Sequence, residues 1–327
     1  MRRPIVVAAV AAAAWLGMPA AAHADPAGPT DYRTTIVSIT PATDVIDVAV
    51  EGGDAFLRIE VEPGHDVLIL GYDQEPYLRI DADGVVEQNR RSYATYYNEE
   101  RYGTSDVPDI VDNDAAPDWE RVGDGGAWAW HDHRAHWMLP DPPIGLEPGD
   151  SLPIQTVPVV VDGVPVEIAV RITLQQDPAL APVVFGAVIG LGVALLGVLL
   201  GPATTGLVML VLSAAALLIG IGQFVSLPAE TDPLFTWWLL PAVALASVVG
   251  AIVTYGRSRF ALLGLTAVAA AQLLVWAVER RHGLTRAVLP TDLPAGLDRF
   301  VSVAALTGAL VVLIATGVRL FARPTPS

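Results

Sequence analysis

The chain has no cysteine and no lysine among its 327 residues. Without cysteine there are no disulfide staples, no thiolate metal sites, no redox pairs and no cysteine nucleophile. Any domain here must stand on its packed core. All nineteen basic residues are arginine, a bias that fits a GC-rich bacterial genome. Catalytic signatures are missing too. There is no Gly-x-Ser-x-Gly elbow, no His-Glu-x-x-His, no phosphate-binding loop and no dinucleotide fingerprint. The five longest apolar stretches contain no Asp, Glu, Arg or His. That argues against a proton relay, an ion pathway or haem ligation in the membrane.

What is present divides at about residue 180. Met1-Arg2-Arg3, the apolar run Ile5 to Met18 and Ala22-His23-Ala24 read as a secretory leader over residues 1–24, cleaved before Asp25. Residues 25–180 then hold thirty acidic residues against nine arginines, a net charge of −21. Such a surface repels nucleic acid and anionic lipid. Residues 181–327 carry eight arginines and five acids, a net of +3.

The second half supplies the spans Val183–Leu200, Gly206–Leu227, Trp237–Tyr255, Phe260–Val278 and Phe300–Val318. Each matches the ~20 residues needed to cross a bilayer. They predict an all-α transmembrane bundle of five helices over 181–321, with a cytoplasmic tail at 322–327. Export of the first half puts the C-terminus inside. Arg280, Arg281, Arg286 and Arg299 then lie on the outer side, which suggests that the 279–299 loop docks against the acidic domain.

The first half reads as an all-β exported domain, an antiparallel β-sandwich over residues 25–180. Residues 32–81 alternate β-favouring residues with turns at Gly52-Gly53-Asp54 and Pro63-Gly64. Val159–Val161 and Val164–Leu174 flank Asp162-Gly163 as a hairpin. Pro158 and Pro165 suggest a sheet edge for it. Arg90–Arg101 reads as a short helix or loop, and the Asp-rich 104–118 stretch as a solvated loop without calcium-loop spacing.

The sharpest local feature is Trp128-Ala129-Trp130-His131-Asp132-His133-Arg134-Ala135-His136-Trp137-Met138. On a strand, His131 and His133 would share one face, a common way to place two imidazoles on Cu or Zn. His136 would join as a third ligand after a bend. The competing interpretation is three structural histidines hydrogen-bonded to the backbone.

Gly71-Tyr72, Glu75-Pro76-Tyr77-Leu78-Arg79 and the WHDHRxHWM run before several C-terminal spans resemble a set of uncharacterised actinobacterial multi-pass membrane proteins. That resemblance implies no established activity. The layout also resembles copper-handling membrane proteins, which pair a His-bearing β-domain with a bundle. It departs from them in having no His at the expected mature N-terminus and none in its spans. The functional expectation is a non-catalytic extracytoplasmic binding or accessory protein in the cell membrane. Its partners would be the lipid bilayer and a membrane or cell-envelope protein, with no nucleic acid. The rival classes are a Cu or Zn homeostasis protein using His131, His133 and His136, and an extracytoplasmic hydrolase.

Overall fold

The computed structural model describes residues 26–101, 106–139 and 141–321. The leader expected at 1–24 and the tail expected at 322–327 therefore lie outside the described residues. Ten antiparallel strands come first: β1 Tyr32–Thr40, β2 Ile46–Glu51, β3 Phe56–Val61, β4 Val67–Leu70, β5 Pro76–Ile80, β6 Val86–Asn89, β7 Trp119–Gly123, β8 Ala127–Trp130, β9 Gln155–Val161 and β10 Val164–Leu174. A five-residue helix, α1 (Tyr93–Tyr97), follows β6. One sheet runs β1-β10-β9-β4-β5-β6-β7 and the other β2-β3-β8.

The two sheets close over one core. Strand β10 shows why: Val166, Ile168, Val170, Ile172 and Leu174 are buried at every second position, while Glu167 and Arg171 face out. Leu57, Ile59 and Val61 of β3 meet Ile69, Leu78, Ile80 and Val159 of the larger sheet. Each such side chain, fully buried, contributes about 1.5–3 kcal/mol of apolar transfer.

The β9–β10 hairpin turns on Asp162 and Gly163, both at positive φ, but it does not lie at a sheet edge. Both strands have neighbours on each side. The prolines fit because Val161 and Val164 close the ladder as a pair. Alternation from that pair puts Pro158 and Pro165 at sites whose backbone nitrogen points away from the partner strand. On the outer side, β4 pairs only with Val159–Val161 and β1 reaches only to Glu167. Each proline thus sits just past the end of a neighbour.

Five apolar helices follow: α2 Ala181–Leu200, α3 Pro202–Val225, α4 Thr236–Val253, α5 Arg259–Glu279 and α6 Ala295–Phe321. All are long and apolar enough to cross a membrane. Helix α6 packs on α2, α3 and α5. Half of its apolar window is buried, against 22% for α2. Gly186 and Gly190 of α2 lie directly against the α6 backbone at Phe300 and Ala304. Small residues let helices approach where lipid gives no hydrophobic drive for association.

The last helix begins five residues before the span predicted from sequence, so Asp298 and Arg299 lie inside it. Arg280 contacts Asp298, Gln223 and Ser302. Arg299 is buried and donates to the carbonyls of Gly283, Arg286 and Ala287. These arginines therefore organise the loop from within. Among the described residues, Arg286 is the one of the four arginines that reaches across, to Asp31.

The two halves are joined at that end of the bundle. Thr30 and Val288 exchange backbone hydrogen bonds of 3.0 and 2.8 Å. The Ala287 N–H donates to Asp31 Oδ1 at 2.9 Å. Ala27, Ala55, Phe56 and Ala129 bury a shared apolar cluster with Leu227 and Trp237. Gly53, at φ 89°, gives the close approach that Val288 requires.

Candidate functional site

The histidine cluster lies at the end of the β-domain that meets the bundle. Strand β8 stops at Trp130, so His131 and His133 do not share a strand face. Asp132 causes the break. Its Oδ1 accepts the backbone N–H of Arg134 at 3.0 Å, and its carbonyl accepts from Ala135 at 2.7 Å. A side chain that captures the N–H two residues on builds a turn in place of a ladder. Its Oδ2 accepts the Trp130 indole N–H at 2.9 Å and the Arg134 guanidinium at 2.7 Å.

Asp132 and Arg134 form a buried ion pair with the carboxylate wholly shielded. Burial alone would raise the Asp132 carboxyl, but the Arg134 charge and hydrogen bonds, with the Trp130 indole, hold it below its ordinary value. Arg134 also donates to the carbonyls of Leu70 and Gly71 at 3.2 and 3.4 Å, and lies over the Tyr72 ring. The tyrosine segment noted in the sequence is thus tied to the histidine turn. The Tyr72 hydroxyl accepts the His133 backbone N–H at 3.0 Å and donates to Asn98. Burial raises the Tyr72 and Tyr77 phenols well above their ordinary range.

The turn brings His136 to both other rings. Ring centres are 5.0 Å apart for His133 and His136, and 6.0 Å for His131 and His136. His131 stacks on Phe56 and gives its Nδ1–H to the Ala55 carbonyl at 2.6 Å. His133 and His136 use the other nitrogen. Their Nε2–H groups donate to the Glu100 and Arg101 carbonyls at 3.1 and 2.7 Å. A carbonyl only accepts, so both rings are in the Nε2–H tautomer. Their Nδ1 lone pairs are buried and have no hydrogen-bond partner among the described residues.

Burial, with Arg101 nearby, pushes His136 down to about 3, and burial also lowers His133. Both rings are neutral near pH 7. Among the described residues, no group of three or more His, Cys, Asp or Glu side chains is arranged to hold a metal ion. The three histidines singled out in the sequence do lie together, and each ring is bonded through one nitrogen to a backbone carbonyl.

Two buried groups gave no signal in the sequence. Asp54 contacts Arg101 at 2.7 Å and Thr30 at 3.2 Å. Burial raises its carboxyl despite the Arg101 charge. Glu75 accepts the Ser92 hydroxyl at 2.7 Å and the Asp73 N–H at 2.9 Å, fastening α1 to the β4–β5 turn. Their partners lie up to 47 residues away along the chain, too far for any motif to show.

No protein-family model matches this chain, and neither does any curated protein or solved structure.

Proposed function

We propose that this is a membrane-anchored binding or accessory protein without catalytic activity, its β-domain outside the cytoplasm. The observation that carries the reading is the junction between the halves. Thr30, Asp31, Gly53 and Phe56 of the β-domain are fastened to Leu227, Trp237 and the 286–288 loop by apolar, backbone and ionic contacts together. A tether alone needs only a linker. A fastened base instead holds the acidic domain at a set height and orientation, as suits a protein that presents a surface to a neighbour in the membrane. The leader-like sequence supports the outward placement.

The test uses the cysteine-free background. Asp109→Cys and Asp47→Cys carry a photo-crosslinker in native membranes. A discrete adduct of one mass, seen from one face of the domain and not the other, supports the reading. Turnover of a hydrolysable substrate by the purified chain would overturn it.

One observation favours a second reading, metal binding at a narrower site than the sequence suggested. The Nδ1 atoms of His133 and His136 have no partner among the described residues, and each ring is fixed through its other nitrogen by a carbonyl, as metal-bound histidines are. Two imidazoles on one tetrahedral ion at about 2.0–2.1 Å place their ring centres roughly 5 Å apart. A buried water donating to both nitrogens satisfies the same geometry. Titration of the full chain with Zn²⁺ separates the two. Binding at one ion per chain, lost in His133→Gln/His136→Gln, supports the metal. Glutamine keeps the donor to the carbonyl and lacks the second nitrogen. No binding assigns the lone pairs to water.

A further inference from the structure

Residues 137–139 and 141–150 lie between the histidine turn and β9, and among them Leu139 and Ile144 are exposed apolar side chains. We infer that the tip of this loop rests in the outer surface of the lipid bilayer. The inference goes beyond the reading above and does not depend on any bound metal.

The local geometry is that of a presented side chain. The Leu146 N–H donates to the Pro143 carbonyl at 3.1 Å, closing a turn with Gly145 at φ 84°. A positive φ at the third position is the signature of a type II turn. That places Ile144 at the outer corner, where it is fully exposed. Leu139 is 60% exposed on the same loop. The Trp137 indole N–H donates to the Asp141 carbonyl at 2.8 Å and pins the neck. Pro142, Pro143 and Pro148 have no N–H, so the loop carries few donors that need water.

Its position decides the occupant. The loop base is tied to the strand end that leads into the first apolar helix. Gly149 donates to the Leu174 carbonyl at 2.7 Å, and Gln176 to the Pro148 carbonyl at 2.9 Å. Helix α2 starts at Ala181. On its other side the loop shares a cleft of about 330 Å³ with the helix-connecting segment, where Trp137 and Leu139 face His282 and Arg286. The loop is therefore level with the ends of α5 and α6, where lipid headgroups surround a membrane bundle. Asp141, Glu147 and Asp150 on the same loop oppose deep burial and anionic lipid. The contact is shallow and suits zwitterionic headgroups.

The test places single cysteines in the full chain, Ile144→Cys at the tip and Val164→Cys as reference. Val164 is 51% exposed at the other end of β10, ten residues from Leu174 and so about 33 Å away. Both are labelled with an environment-sensitive fluorophore and reconstituted in phosphatidylcholine vesicles. The expected result is blue-shifted emission at position 144, with at least twofold stronger quenching by nitroxide-labelled lipid than at 164. Equal behaviour at the two positions overturns the inference. A blue shift at 144 without lipid quenching also overturns it and assigns the tip to a protein contact.

Discussion

The β-domain and the helical bundle bury charge in different places. The β-domain takes it inside: Asp132–Arg134 and Asp54–Arg101 both have carboxylates with no solvent exposure. The bundle keeps it at the end facing the β-domain, where Arg280 meets Asp298 and Arg299 caps loop carbonyls. Its interior is held by alanine, glycine and aliphatic packing. The difference follows from the solvents. A water-soluble domain can surround an ion pair with its own backbone groups. A helix in hydrocarbon has already spent its backbone groups within itself and has none to offer. Arg134 and Arg299 do similar work on either side of that divide, each donating to carbonyls that a turn leaves over.

The sharpest way to break this comparison is to remove one buried partner. Asp132→Ala removes the buried carboxylate that the Arg134 guanidinium and the Trp130 indole share. It should cost about 3–5 kcal/mol, read by denaturant unfolding of the full chain through tryptophan fluorescence. A loss below about 1 kcal/mol would show that the pair does not hold the turn. Asp132→Leu with Arg134→Met should recover much of the stability.

The second effect is a pH dependence. His136 is held far below its unfolded value near 6.5, so only the unfolded chain takes up its proton as pH falls from there toward about 3. Stability is full above the unfolded value and declines below it. The slope is about 1.4 kcal/mol per pH unit, or roughly 2–3 kcal/mol between pH 6.5 and 4.5. His133, also lowered, steepens the decline. Asp132, lowered as well, adds a loss below its ordinary value. Asp54 acts oppositely, since a raised carboxyl loses stability as pH rises through its folded value. Denaturation midpoints measured from pH 7.5 to 4.5 check the sign, and His136→Gln should flatten the slope.

The bundle's side of the comparison rests on close backbones. Gly190→Val should cost about 1–3 kcal/mol by forcing α2 off α6. Gly192→Val, on the open face of the same helix, should change little. Equal thermal shifts for the two in detergent would refute the packing argument. The smallest effect belongs to Arg286→Ala. It removes a partly exposed pair with Asp31 and should cost about 0.2–1 kcal/mol by thermal melt.

Periodicity carried most of the architecture. Alternation along Val164–Leu174 and charge-free runs of bilayer length gave the strands and the five helices. What failed were features set by distant residues. The His-x-His spacing suggested one strand face, but the Asp132 carboxylate ends the strand first. Pro158 and Pro165 suggested an edge, yet the lengths of neighbouring strands made two interior places for them. The fifth helix starts early because Asp298 has Arg280 to meet, 18 residues before it in the chain. The burial of Ala27 and Thr30 was equally invisible, since their neighbours lie in the bundle.

That last contact sets a schedule. The Ala287 amide that Asp31 holds lies 256 residues later in the chain. At about 5–20 residues per second, the carboxylate waits roughly 13–50 s for its partner. Over that interval the strands can pair among themselves, but the base of the domain has nothing to close on. The base of the β-domain therefore finds its place only after α5 has been laid down.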